Sequence, residues 1–446
     1  MPSVPRFKNA TSSSLVLLYG FAALIAIGTA LLLLPVATRT GESTRFIDAF
    51  FTATSAVCVT GLVVVDTAGH WSLFGQAVIL ALIQLGGFGF MTTATMFLLM
   101  FGRRIGLRER LMVGESLGME RFGGLVRIVW QMAIFTLIAE VAGAAIFYFC
   151  TSIGTLEMPA WKSIFHTISA FNNAGVDLFG SFSSLSGFQK DPPVLLLTSA
   201  LIFLGGISFL VVIDLLRTRN WSHLSLDSKL VLSSTGLLLA LGTVVFLLTE
   251  YSNPDAMGPL SPAERVLNAF FQSVTARTAG FNTINMAAIG DYALFFTMLL
   301  MFVGGASGST AGGIKVNNFS VLLSTVWSSL RGREHPLAFG REFNVQQIHR
   351  ALAVAVLSLG LVSTAVFFLT LTDDFRFIDL LFESVSAFGT VGLSNGLTPA
   401  LSTVGRLIII VVMFFGRLGP LTVTLALVQR QKVTGFRYPK ETVRIG

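Results

Sequence analysis

The chain has 446 residues, 53% of them hydrophobic and 12% charged, with a mean hydropathy of +0.77 and a net charge of +7. Soluble domains carry about 25% charged residues, so a water-facing globular fold is excluded for most of this chain and the natural solvent is a bilayer. Two cysteines and five scattered histidines, without HExxH or paired-cysteine spacing and with no catalytic cluster of His, Asp or Glu, also set aside a metal-based or redox enzyme.

Lipid admits only helices and closed barrels. A transmembrane helix needs roughly 20 mostly apolar residues. Runs on that scale lie at 15–36, 71–101, 125–150, 193–216, 230–249, 292–330, 348–371 and 401–428. They are too long and too uniformly apolar for barrel strands. The predicted class is an all-α polytopic membrane protein with about eight spans. Lys and Arg gather at Arg6/Lys8 and within 103–127, 217–229, 331–350 and 430–444. The positive-inside rule makes these segments, and both termini, cytoplasmic. The positive charge is therefore topology rather than a nucleic-acid surface. The same basic loops can meet anionic lipid or a cytosolic partner.

Between the spans, on the opposite side, four segments repeat a theme: FIDAFFTATSAVCVTGL (46–62), WKSIFHTISAFNNAGVDL (161–178), RVLNAFFQSVTARTAGFN (265–282) and FIDLLFESVSAFGTVGLS (377–394). Phe51, Phe165, Phe271 and Phe382 share one register, as do Ser55, Ser169, Thr275 and Ser386. A glycine follows in each: Gly61, Gly175, Gly280 and Gly392. The third segment is one residue shorter than the others between these marks. A recurrence of this kind, at roughly 105 to 115 residues, indicates a fold built by repetition. About a dozen helical residues cannot span a bilayer. Each segment therefore reads as a short re-entrant pore helix followed by a descending strand. Asp48, Asp379 and Glu383 on these helices read as interfacial caps and surface charges.

Four such units in a ring suit a cation pathway. A dehydrated ion needs replacement oxygens, and glycine permits the backbone angles that turn carbonyls inward. The expected K+ filter is Val59-Thr60-Gly61, Asn173-Ala174-Gly175, Thr278-Ala279-Gly280 and Thr390-Val391-Gly392. The negative ends of the pore-helix dipoles would face the ion. The repeats are expected at 1–123, 124–222, 223–345 and 346–446, each running outer helix, pore helix, strand, inner helix.

The inner helices also share a mark. LGGFGFM (85–91), LGGISFL (204–210), VGGASGSTAGG (303–313) and FGRLGPL (415–421) occupy one place in their spans. In the third repeat the small residues interrupt the helix. Glycine costs a helix interior about 1 kcal/mol relative to Ala, and irregular backbone at membrane depth must face a cavity. Gly304, Gly305, Ala306, Ser307, Gly308, Ser309, Thr310, Ala311, Gly312 and Gly313 are expected to form a gate below the filter. Arg417 lies at the same register in the fourth repeat. Arg at mid-membrane costs about 2.5–3.5 kcal/mol on insertion scales and faces a cavity. It is expected to raise the barrier to cations and to hydrogen-bond the loop. Lys315 closes the loop and reads as a snorkelling or capping residue.

With these motifs in place, SAVCVTGL, SAFNNAGV, RTAGFN and SAFGTVGLSNGLTP, together with GASGSTAGGIK and FFGRLGPLT, resemble the Ktr-type translocating subunits of the Trk/Ktr/HKT potassium-transporter superfamily. The resemblance runs from about residue 15 to the C-terminus. It implies K+ uptake across a bacterial plasma membrane by a homodimer. It also implies assembly on a cytosolic ring of nucleotide-binding (RCK-type) subunits and uptake often stimulated by Na+. No cofactor is implied beyond the transported ion. The chain has neither GxGxxG after a strand nor GxxxxGK[ST], so the nucleotide would sit on the partner. A less selective K+/Na+ pathway and a cation-coupled secondary transporter stand as alternatives. The repeats run parallel and intramembrane ionisable residues are few (Glu140, Lys315 and Arg417), which favours a pore.

Overall fold

The computed structural model describes residues 10–89, 125–151, 158–419 and 441. The terminal segments, most of the basic loop 103–127 and the far ends of the spans expected to reach 101 and 428 lie outside the described residues. The described chain is helical apart from a two-residue hairpin, β1 (Leu337–Ala338) with β2 (Arg341–Glu342).

In chain order, repeat 1 holds α1 (Ala10–Leu32), α2 (Phe46–Cys58), the single turn α3 (Thr67–His70) and α4 (Leu73–Phe88). Repeat 2 holds α5 (Leu125–Thr151), α6 (Pro159–Phe171), α7 (Pro192–Gly206) and α8 (Phe209–Thr218). Repeat 3 holds α9 (Leu226–Glu250), α10 (Pro262–Thr275), α11 (Asp291–Phe302) and α12 (Val316–Leu330). Repeat 4 holds α13 (Val345–Thr372), α14 (Phe377–Gly389) and α15 (Thr403–Leu418).

The first helix of each repeat is long and apolar enough to cross a membrane: 15–32, 126–151, 226–250 and 345–372. At 1.5 Å per residue, 25 residues reach about 37 Å, more than the hydrocarbon core of about 30 Å. Their outward faces carry exposed Leu137, Ile138, Leu248, Leu359 and Phe367, as lipid contact requires.

The second helices behave differently from eight uniform spans. α7 and α8 meet at 97°, so the run 193–216 is bent rather than one continuous helix. The reason is local. The Gly205 carbonyl accepts from the Thr310 N–H at 3.2 Å, and the Gly206 carbonyl accepts from the Ala306 N–H at 2.9 Å. Carbonyls spent on another segment cannot extend their own helix. α4 and α15 end one residue before Gly89 (φ 77°) and Gly419 (φ 83°). The break marked in sequence for the third repeat is thus shared, and in the second it is complete.

The four short helices sit inside. Each packs on the outer helix of its own repeat and on the inner helix of the preceding one, α4 on α6, α7 on α10, α11 on α14 and α15 on α2. The last pairing closes the chain into a ring. Phe51, Phe165, Phe271 and Phe382 are all fully buried at the shared register. The start of α10 is set by a capping box, in which Ser261 Oγ accepts from the Glu264 N–H and the Ser261 N–H donates to Glu264. The Ser261 N–H, and after it the Ser261 hydroxyl, hold the Glu264 carboxyl below the usual carboxylate range.

Candidate functional site

The four short helices end against one another. At each end the backbone takes the same unusual path. Val59 (φ 56°), Asn173 (φ 57°), Thr278 (φ 81°) and Thr390 (φ 48°) are left-handed. Two residues on, so are Gly61 (φ 89°), Gly175 (φ 67°), Gly280 (φ 82°) and Gly392 (φ 89°). The residue between, Thr60, Ala174, Ala279 or Val391, is not. Non-glycine residues avoid this region at a cost of about 1–3 kcal/mol each, and they hold it only where the surroundings enforce it. Here the N–H of Thr60, Ala174 and Val391 returns to the carbonyl five residues back (Ser55, Ser169 and Ser386) at 2.8, 2.8 and 2.9 Å. In the shorter third segment Ala279 N–H returns only four residues, to Thr275, at 3.0 Å. The missing residue is absorbed in the helix cap, and the strand that follows keeps its register.

The glycines close a ring. A Cβ on Gly61 would run into the Ala174 carbonyl oxygen, one on Gly175 into that of Ala279, one on Gly280 into that of Val391 and one on Gly392 into that of Thr60. Each such Cβ would also come within 3.0–3.1 Å of the next glycine's Cα. The twelve residues expected to line a filter are therefore brought together, and no side chain fits at the glycine level. The hydroxyls of Thr60, Thr275, Ser386 and Thr390 are buried there without a hydrogen-bond partner among the described residues.

Below the ring lies the segment that joins α11 to α12. Its base is stapled by a parallel bridge between Val303 and Ile314, with Gly304 N–H to the Ile314 carbonyl at 2.8 Å and Val316 N–H to the Gly305 carbonyl at 3.0 Å. None of residues 304–313 is exposed. The loop rests directly on the ring segments. A Cβ on Gly304 would lie 3.2 Å from Thr278 Cγ2, and one on Gly312 would overlap the Thr390 side chain. Its other contacts reach repeats 2, 3 and 4, and Arg417 ties it to repeat 1. Thr310 Oγ1 donates to the Gly205 carbonyl at 2.9 Å, Gly313 N–H to Gly416 at 3.3 Å, and Ser307 N–H to Asn317 Oδ1 at 2.8 Å. Arg417 donates to the carbonyls of Thr310 and Gly86, and to that of Gly87 at 3.3 Å. The Lys315 ammonium turns back onto the Ala311 carbonyl, so it binds the loop rather than reaching for an interface.

Several functional-looking residues carried no sequence signal of their own. Glu383 is fully buried rather than a surface charge, because Thr398 Oγ1 (2.9 Å) and Ser394 Oγ satisfy its carboxylate. Asp48 is likewise buried and pairs with Arg406 of α15, joining repeat 4 to repeat 1. Asp379 does lie at a helix start, chelated by Arg376 at 2.9 Å. Glu140 accepts from Gln84 (3.3 Å) and Asn172 (3.1 Å) behind the second ring segment. The Asp48 and Glu140 pairs join residues far apart in the chain, which periodicity cannot connect.

A family model described as TrkH, cation transport protein, matches residues 6–433. The chain belongs to the TrkH family. It is 42% identical to the Ktr system potassium uptake protein B of Bacillus subtilis over 97% of this chain and 96% of that relative. It is 41% identical to the protein of the same name from Vibrio alginolyticus, over 100% and 98%. It is 39% identical to the potassium/sodium uptake protein NtpJ of Enterococcus hirae, over 96% of each. The crystal structure of the potassium transporter TrkH from Vibrio parahaemolyticus superposes with a TM-score of 0.75 at 18% identity, covering 96% of this chain and 87% of that one. As a member of the TrkH family the chain is a multi-pass membrane transport protein rather than an enzyme.

Proposed function

We propose that this protein takes up potassium ions across a bacterial plasma membrane, through the carbonyls of 59–61, 173–175, 278–280 and 390–392, with 304–313 and Arg417 as the gate. The observation that carries the reading is the closed ring of four glycines, each facing the carbonyl of the next segment. Backbone carbonyls can replace the hydration shell of K+. Four helix C-termini beside them add the negative ends of their dipoles. The relatives named as potassium uptake proteins support the choice of ion. The loop's place under Thr278 and Thr390 supports the gate, and Arg417 adds fixed positive charge on the same path.

The repeats are assigned to 1–123, 124–222, 223–345 and 346–446, with both termini in the cytoplasm. The protein is taken to work as a homodimer on a cytosolic RCK-type ring that carries the nucleotide, with Na+ stimulating uptake, as the family resemblance implies. A second reading, a shared K+/Na+ pathway, is favoured by the relative named as a potassium/sodium uptake protein and by one glycine per segment in place of TVGYG.

Calorimetric titration of the purified protein with K+ and Na+, beside Gly280→Ser, tests the assignment. K+ binding at least about tenfold tighter than Na+, a difference of about 1.4 kcal/mol, and its loss in the variant are expected. Equal affinities would select the shared pathway, and an unaffected variant would reduce the glycines to packing residues.

A further inference from the structure

Arg277 stands three residues before Gly280. The matching positions in the other repeats are Cys58, Asn172 and Gly389, all uncharged. Only the third segment carries a cation at the ring, and it is the third repeat whose inner helix opens into the loop. The side chain is 8% exposed. Its Nη2 donates to the Gly304 carbonyl at 3.3 Å and to Thr235 Oγ1 of α9 at 3.4 Å, and its Nε has no partner among the described residues. No carboxylate pairs with it among the described residues. A buried charge without a counter-ion is costly. Two residues past the end of α10, it draws compensation from that helix's negative end. The same dipole is then partly withdrawn from an ion in the ring.

The two ends of this residue belong to different devices. Its backbone leads directly into Thr278 of the ring. Its guanidinium holds Gly304, the first glycine of the loop and a member of the staple that closes the loop's base. The side chain borders a small recess of about 20 Å³ lined by Phe203, Gly206, Leu239, Val274 and Gly305. We propose that Arg277 is a positioning residue that couples the loop to the third filter segment, so that the state of the gate sets the discrimination of the filter. The proposal deepens the filter-and-gate reading and rests on it.

The test is a double-mutant cycle in proteoliposomes, with K+ flux and Na+ competition as readouts. It uses the parent, Arg277→Gln, a deletion of 306–311, and the two combined. Arg277→Gln is expected to raise flux and to lower K+-over-Na+ discrimination, each about fivefold, and to change neither by more than about 1.5-fold when the loop is deleted. Thr235→Ala, which removes the bond not connected to the loop, is expected to preserve discrimination. Arg277→Lys keeps the charge and one donor, and is expected to restore at least about half of the discrimination lost in Arg277→Gln. It carries the same cycle should the Gln variant fail to assemble. Effects that multiply independently of the deletion overturn the coupling while leaving the gate intact, and so does a Thr235→Ala variant that behaves like Arg277→Gln. A deletion that leaves flux unchanged overturns the gate reading and the coupling with it.

Discussion

At the scale of single residues, the ring is a problem of one missing carbon repeated four times. A methyl group at Gly61, Gly175, Gly280 or Gly392 meets both a left-handed backbone and a neighbouring carbonyl. The backbone strain alone is about 1–3 kcal/mol, and the overlap forces adjacent segments apart. Gly61→Ala is expected to cut K+ uptake at least about tenfold, with the purified protein still eluting as a folded particle. Uptake within twofold of the parent would show that the ring tolerates widening. Arg417 is the opposite case, a large side chain whose removal opens space. Arg417→Ala frees three carbonyls, two on the inner helix α4 and one in the loop. Charge-assisted hydrogen bonds contribute about 1.5–3 kcal/mol each. Flux through the variant in proteoliposomes is expected to rise about tenfold, and a parental rate would make Arg417 a purely structural tie.

At the scale of elements, the short helices matter because they stop. Thirteen or fourteen residues carry each one only to the ring, where the next residues turn left-handed. The loop is held more by hydrogen bonds than by apolar packing, as its small side chains dictate. Each bond is worth about 1 kcal/mol net, so the loop is poised for movement that the helices around it resist. Thr310→Val keeps the shape and removes the donor to Gly205. It is expected to raise the open fraction about fivefold, read as increased resting flux. Unchanged flux would place the loop's restraint elsewhere, at Arg417 or at the Val303–Ile314 staple.

At the scale of the whole molecule, four quasi-equivalent units must close, and closure depends on the last meeting the first. α15 packs on α2, and the Arg406–Asp48 pair seals that seam with side chains only 16% and 11% exposed. Breaking one partner of such a pair strands the other and costs about 3–5 kcal/mol. Asp48→Asn is expected to lower the unfolding temperature of the detergent-solubilised protein by several degrees. Arg406→Met added to it should recover most of that loss, because a stranded charge rather than a lost attraction is the main cost. A double variant no more stable than Asp48→Asn would argue that the seam depends on the charge itself.

What the sequence determined alone was everything periodic. Apolar runs of bilayer length set the helical class. Recurrence of the Phe, Ser/Thr and Gly registers set the fourfold plan and singled out the glycines. A cluster of small residues announced the break in the third inner helix. These signals are local or repeat at one interval, so a single chain displays them. The tertiary structure decided what meets across repeats and between separate segments of one repeat. It bent the second inner helix, because Gly205 and Gly206 give their carbonyls to a loop a hundred residues away. It paired Asp48 with Arg406, buried Glu383 under Thr398, and set Arg277 between ring and loop. Such contacts follow from where closure of the ring places side chains, and neither hydropathy nor spacing along the chain encodes that placement.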